Sequence, residues 1–418
     1  VVCSLGLGAD LDTLRLRPSE CIVIVAPHPD DEVLGCGGLI QQALALEDKV
    51  WVVYVTSGDG DWPAAWRITG NLLPGPQEYV ALGRARTEEA RAGAGILGLD
   101  STHLIFQGFP DGDLARVVFE HYYSETPLAS SHTELDHSPY DYTGGAMVDQ
   151  LYAEILRHQA DRVFFPHPLD VHPDHWAAGA LLTPVKELWR LGQTMEFPVA
   201  YYYPIHRPGY PRPDREDELH PPTGLTGPGH HWYTLPVEIP EVARKRQAYD
   251  CHWSQLIEAG PDPRGYMARN ELFELVEADS GTTAGDAPVV DYGPIPRIES
   301  LTASVPHGSP AVFTLYLRGP QSSLFDYTLY LRSSGPRRVA RVIDLAEDSS
   351  DRAQAMLRRI ASGLTPALDI PVCARTDTTL TAYIPAEWFA GEDRLFFAAG
   401  IRWRERFINH TGVGSVAP

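Results

Sequence analysis

The sequence predicts two domains of different class: an α/β domain on a mostly parallel sheet with helices on both faces, then a smaller all-β sandwich. Three observations carry that expectation. At 418 residues the chain exceeds one ordinary hydrophobic core and suits two. Over residues 1–280, runs of β-branched and aromatic residues alternate with stretches of helical periodicity, as in strand–helix–strand units. Beyond Ala278 the texture becomes strict alternation broken by Gly, Pro and Ser, the mark of short antiparallel strands.

The elements follow in order. Strands are expected at 22–26, 50–56 ("VWVVYVT"), 103–106, 163–165 and 199–203, and helices at 34–46, 79–97, 147–158 and 174–189. This succession gives a Rossmann-like sheet, whose ligands bind outside the carboxyl ends of the strands. "APHPDDE" stands at such an end. Two Pro- and aromatic-rich insertions, 58–77 and 109–143, follow strands and belong over the same rim, where loops this long tend to be functional. "ADSGTTAGDAP" reads as a linker, giving domains 1–280 and 281–418. In the second, "AVFTLYLR" sets Phe313, Leu315 and Leu317 on one face, and "FDYTLYLR" does so with Phe325, Tyr327, Leu329 and Leu331.

Composition excludes several classes of function. With 34 basic and 55 acidic residues the net charge is −21, which opposes nonspecific binding to nucleic acid or anionic membrane. No apolar run reaches the roughly 18 to 20 residues of a membrane-spanning helix. The chain starts at Val1 without methionine, which reads as a trimmed N-terminus, so compartment (cytoplasmic or secreted) and oligomeric state stay open. The five cysteines include no CxxC pair. Cys21 and Cys36 suit a core, and a Cys3–Cys21 disulfide has no support from spacing.

Chemistry concentrates in two clusters. "CIVIVAPHPDDEVLGCGGLI" begins as a buried strand and ends as a helix, with His28, Asp30, Asp31 and Glu32 between. Adjacent carboxylates at the mouth of a hydrophobic strand repel one another and call for a cation. "FFPHPLDVHPDHWAAG" places His167, Asp170, His172, Asp174 and His175 at a second strand end. One "HPD" alone is explained by an acidic helix cap. Two such clusters in one α/β domain point instead to a shared divalent metal. His28 and Asp31 with one histidine of the second cluster make three ligands and leave a fourth position open, as in catalytic zinc sites.

The pair "PHPDDE" (27–32) and "HPDH" (172–175) resembles the signature of the LmbE-like, or PIG-L-type, N-acetylglucosaminyl deacetylases. "RARTEEARAGAGILGLD", "GFPDGDL" and "KRQAYDCHWSQL" resemble further family landmarks, in order, so the likeness spans roughly residues 20–260. It implies a metal-dependent hydrolase that removes the N-acetyl group from an N-acetylated amino sugar or glycoconjugate. His28, Asp31 and His175 would hold zinc, with ferrous iron or another divalent ion as alternatives. Asp30 would be the general base toward the attacking water. His172 would stabilise the oxyanion or act as an acid, tuned by Asp174 or Asp170. Arg86 would lie near the substrate's acyl group, and Asp111 would make a polar contact in the pocket.

Other candidates carry less. Glu88 and Glu89 read as a solvated face or structural partners, one of them able to anchor Arg86. His167 reads as structural, and His252 and Trp253 as helix packing. Tyr123, Ser130 and His132 could meet a sugar or simply belong to a polar loop. In the β domain, Trp388, Trp403, Arg402 and Arg404 could stack on sugars, although lone tryptophans more often fill a core. Two competing functions remain: a catalytically idle carbohydrate-binding protein on the same scaffold, and a non-haem iron oxygenase using two histidines and a carboxylate.

Overall fold

The computed structural model describes residues 11–122, 127–129, 141–207, 209–212, 217–226, 229–256, 263–276, 286–287, 289–290, 297–305, 310–318, 326–333, 340–345, 371–376, 378–390, 394–403, 406–411 and 414–416. Cys3, Tyr123, Ser130, His132, Phe325, Arg404 and most of the expected linker lie outside them, as do the side chains of Arg402 and Trp403. The chain forms two compact units, the first made of 1–108, 155–166 and 198–276, the second of 109–154, 167–197 and 277–418.

The first unit is built on β1 (Asp12–Thr13), β2 (Cys21–Ala26), β3 (Lys49–Thr56), β4 (Leu104–Phe109), β5 (Arg162–Pro166), β6 (Val199–Tyr203), β7 (Trp232–Pro236) and β8 (Asn270–Leu275). They form one sheet in the order β1-β7-β8-β6-β5-β2-β3-β4. Strands β3, β2, β5 and β6 run parallel, with Ile24 beside Val52 on one side and Phe164 on the other. Strand β2 is buried throughout, and its Ile22, Val23, Ile24 and Val25 alone contribute on the order of 6 to 12 kcal/mol of apolar burial. The helices flanking this sheet include α1 (Asp31–Ala45), α2 (Trp62–Thr69), α3 (Pro76–Leu97) and α8 (Ile239–Asp250).

The expected strands are all present, but the sheet is mixed: β8 pairs antiparallel with both β6 and β7. "NELFEL" conceals its strand because Glu271 and Glu274 interrupt the apolar pattern. Both are buried, and each has a cationic or imidazole partner: Lys245 Nζ lies 2.6 Å from Glu271 and His230 Nδ1 lies 2.6 Å from Glu274. Glu271 also accepts the backbone N–H groups of Gly38 (2.7 Å) and Leu39 (2.9 Å), which fastens α1 to the sheet. Close approach continues at Gly35, where a Cβ would fall 2.4 Å from the Tyr203 ring.

The second unit contains α4 (Leu114–Phe119), most of α5 (Gly144–His158), α6 (Pro173–Ala180) and α7 (Leu182–Gly192). The helix expected at 174–189 is thus two helices. Pro184 cannot donate to a carbonyl one turn earlier, so the chain restarts at Leu181 with the proline inside the new first turn. The same unit holds two antiparallel sheets. One contains β12 (Ala311–Arg318) and β16 (Thr379–Ile384); the other contains β13 (Asp326–Ser333) and β17 (Leu395–Trp403). Phe313, Leu315, Leu317, Tyr327, Leu329 and Leu331 join Leu380, Phe397 and Ile401 in one core between the sheets, as the alternation predicts for a sandwich. Trp388 packs against that core with Arg341 5.2 Å from its ring centre. Among the described residues no helix is long and apolar enough to cross a membrane.

Candidate metal and catalytic site

In the first unit, β2 ends at Ala26 and α1 begins at Asp31, so His28 and Asp30 fall in a four-residue turn at the strand's carboxyl end and Asp31 opens the helix. Asp31 Oδ2 accepts the backbone N–H of His28 at 2.9 Å and lies 3.2 Å from His28 Nδ1. Two ligand atoms of a tetrahedral zinc shell are separated by about 3.3 Å, given metal–ligand bonds of about 2.0 to 2.1 Å, so this pair has suitable spacing for two such ligands. Asp30 caps α1 at φ 142° and ψ −25°, a conformation that L residues rarely adopt. Glu32 Oε2 accepts the Asp30 backbone N–H at 3.0 Å, and Arg86 Nη2 donates to Asp30 Oδ1 at 3.2 Å.

Three consecutive acids are accommodated by three different means. Asp31 faces His28, and Asp30 faces Arg86. Glu32 is fully buried, and burial pushes its carboxyl up to about 8, partly offset by the Tyr54 hydroxyl and augmented by the charge of Asp30. Burial thus favours the uncharged form of Glu32. Behind it sits His252, whose Nε2 is 3.9 Å from Glu32 Oε1. Burial first, and the Arg86 charge second, push the imidazole down to about 3, so it is neutral.

Arg86, nearly buried on α3, also donates to the carbonyls of Gly58 (3.0 Å) and Pro29 (3.1 Å). Of its helix neighbours, Glu88 pairs with Arg91 at the surface. Glu89 is buried, and its carboxylate accepts Ser254 N–H at 3.1 Å and Ser254 Oγ at 2.6 Å. The Arg86 charge acts on Glu89, opposing the upward push of burial on its carboxyl, while the guanidinium bonds two backbone carbonyls and Asp30.

In the second unit, His172 is the N-cap of α6 and its Nδ1 accepts the Asp174 N–H at 3.3 Å. An accepting Nδ1 leaves the ring proton on Nε2. His175 is buried in the first turn of α6, with its Nδ1 3.3 Å from Asp170 Oδ2, and Asp170 Oδ1 accepts the His172 N–H at 3.4 Å. A carboxylate at Nδ1 orients an imidazole for ligation through Nε2. Asp174 is buried and accepts the N–H groups of Gly112 (2.7 Å) and Leu114 (3.0 Å), so it anchors the "GFPDGDL" loop that carries Asp111. His167 Nδ1 accepts the Leu169 N–H at 3.0 Å, a turn-forming bond that fits its structural reading. Phe119 of α4 stacks on Trp176 of α6 at 4.2 Å and meets Tyr330 of β13 at 5.4 Å.

Candidate metal ligands among the described residues are His28, Asp31 and His206 in the first unit and Asp111, His172, Asp174 and His175 in the second. Imidazole nitrogen and carboxylate oxygen are the donor set of zinc and ferrous iron. The expected ligands His28, Asp31 and His175 are among them, and so is His172, which was expected to act on the oxyanion instead. His206 was not anticipated, although "YYYPIHRP" repeats the pattern of a strand, a proline and a histidine; it follows β6, the strand beside β5.

Residues 23–185 match the family model of PIG-L, described as GlcNAc-PI de-N-acetylase. This segment is a PIG-L domain. All eight residues singled out as catalytic, metal-ligating or substrate-binding fall inside the PIG-L match. No curated protein matches the chain. Solved structures similar to it include a conserved protein of Thermus thermophilus, at 22% identity over 60% of this chain and 92% of that one, with TM-score 0.39. Another is the N,N'-diacetylchitobiose deacetylase of Pyrococcus horikoshii, at 18% identity over 62% and 84%, with TM-score 0.39. A third is the 4-carboxy-2-hydroxymuconate hydratase of Pseudomonas putida, at 17% identity over 63% and 98%, with TM-score 0.38. Likenesses at this level carry no argument about chemistry. The PIG-L match, with its His/Asp groups, supports a metal-assisted hydrolase of the deacetylase type.

Proposed function

We propose that the protein removes the N-acetyl group from an N-acetylated amino sugar or glycoconjugate, with His28, Asp31 and His175 holding one divalent ion, zinc in the first instance. The observation that carries this reading is the sheet order. Strands β2 and β5 are parallel neighbours, and each runs directly into one of the two His/Asp motifs.

When bound, such an ion polarises the amide carbonyl and lowers the pKa of a coordinated water to about 7. Asp30 takes a proton from the attacking water and returns it to the departing amine, which cannot leave as an anion. The ring proton that the accepting Nδ1 leaves on Nε2 of His172 makes that nitrogen a donor for the developing oxyanion. Asp170 orients His175, and Asp174 holds the loop from which Asp111 meets the sugar. Residues 1–280 supply every side chain assigned to chemistry, and residues 281–418 supply none. The Phe119–Tyr330 contact favours a structural cap over a polymer-binding module for the β domain.

The test is acetate release from N-acetylglucosamine and its oligomers, with metal, after chelation, and after metal is restored. Release that follows the metal supports the reading. Binding of these sugars with no acetate under any metal condition would mark an idle binding protein and overturn it.

A further inference from the structure

We infer that Arg86 is a positioning residue for Asp30 and acts on the reaction through that carboxylate. The inference rests on the proposed role of Asp30 as general base. Its physical starting point is the backbone: Asp30 sits at φ 142°, where only glycine is at ease, so something must hold it there. Two groups do. Glu32 fixes the Asp30 backbone N–H at 3.0 Å, and Arg86 fixes the side chain through Oδ1 at 3.2 Å.

The guanidinium is itself fixed. Its Nη2 is shared between Asp30 Oδ1 and the Pro29 carbonyl at 3.1 Å, and Nη1 grips the Gly58 carbonyl at 3.0 Å. One planar group thereby ties the turn after β2 to the turn after β3, the neighbouring strand. Gly58, at φ +64°, permits this approach, since a Cβ there would lie 2.4 Å from Arg86 Cζ. The helix that carries Arg86 is pinned one turn later by Glu89 to Ser254. A lysine could replace the charge but not the fork of donors, so the geometry requires arginine.

The experiment is steady-state acetate release by Arg86→Lys, alone and in the Asp30→Ala background, with metal content measured alongside. Misplacing a reacting group by about 1 Å can cost about 100-fold. Arg86→Lys should lose about 10- to 100-fold in kcat with KM and metal content unchanged, and should cost nothing further once Asp30 is alanine. A raised KM at unchanged kcat would make Arg86 a substrate contact and overturn the inference. So would an equal further loss in the Asp30→Ala background. Wild-type release is the control: its absence refutes the function itself, whereas release by the wild type with an indifferent Arg86→Lys refutes only the positioning role. If Arg86→Lys does not fold, Gly58→Ala displaces the guanidinium without deleting it. The same selective loss of kcat is expected there, and an unchanged kcat overturns the inference.

Discussion

Replacing Asp30 by glycine and by alanine separates the cost of its backbone from the use of its side chain. Both variants delete the carboxylate and its bond to Arg86, so those losses cancel in the comparison. What differs is the backbone at φ 142°. A non-glycine residue in such a region costs about 1 to 3 kcal/mol, and alanine would bear it in full. Glycine avoids it but loses about 0.5 to 1 kcal/mol more chain entropy on folding. At the midpoints the balance favours Asp30→Gly over Asp30→Ala by about 1 kcal/mol, within a range of about 0 to 2.5, the reverse of the usual order in a helix. Urea unfolding in the presence of a chelator measures it without a contribution from bound metal. Turnover should fall by about 100- to 10,000-fold in both, because neither retains the base. A more stable alanine variant would refute the claim that Asp30 is held in a strained conformation for its chemistry.

Three further outcomes follow from the same geometry. His172→Ala should lower kcat by about 100- to 1000-fold with metal content unchanged, as for loss of an oxyanion donor; metal lost in the variant would make His172 a ligand. Tyr330→Ala should destabilise the protein by about 3 kcal/mol and slow turnover of small N-acetyl substrates, because it removes the ring against Phe119; unchanged small-substrate turnover in a destabilised protein would uncouple the β domain from α6. His252 is held near 3, below its unfolded value of about 6.5. Between these pH values the unfolded chain binds a proton that the folded one does not, so stability is full above about 6.5 and falls with pH by up to about 1.4 kcal/mol per unit. His252→Asn should remove that part of the slope in urea titrations from pH 6.5 to 4.5, and an unaltered slope would show that the imidazole is already charged in the fold.

Much of this architecture can be read from residue patterns. Strand β2 is continuous in Ile and Val because both its neighbours are parallel strands, and β12 and β13 alternate because one of their faces fills a sandwich core. The two motifs are conspicuous because charged and imidazole groups directly after a buried strand lose hydration, a cost that a bound ion or a close partner must offset. Pairings between distant segments are not legible in the same way. Glu271 looks like a surface residue until Lys245, brought in from α8, neutralises it. The attachment of Arg86 to Asp30 crosses 56 positions, and the role of Asp174 as an anchor for Gly112 and Leu114 crosses about 60; neither leaves a local pattern. The strain at Asp30 is equally silent, since an aspartate before a helix looks like an ordinary cap.

The decisive measurement is elemental analysis of metal per chain in the wild type, His28→Ala and His175→Ala, each purified and reconstituted identically. One ion shared by the two motifs requires about one equivalent in the wild type and a marked loss in both variants, because each removes one of three ligands. A full equivalent retained by either variant would contradict the shared site. The proposed division of labour among Asp30, His172 and Arg86 would then lose its foundation.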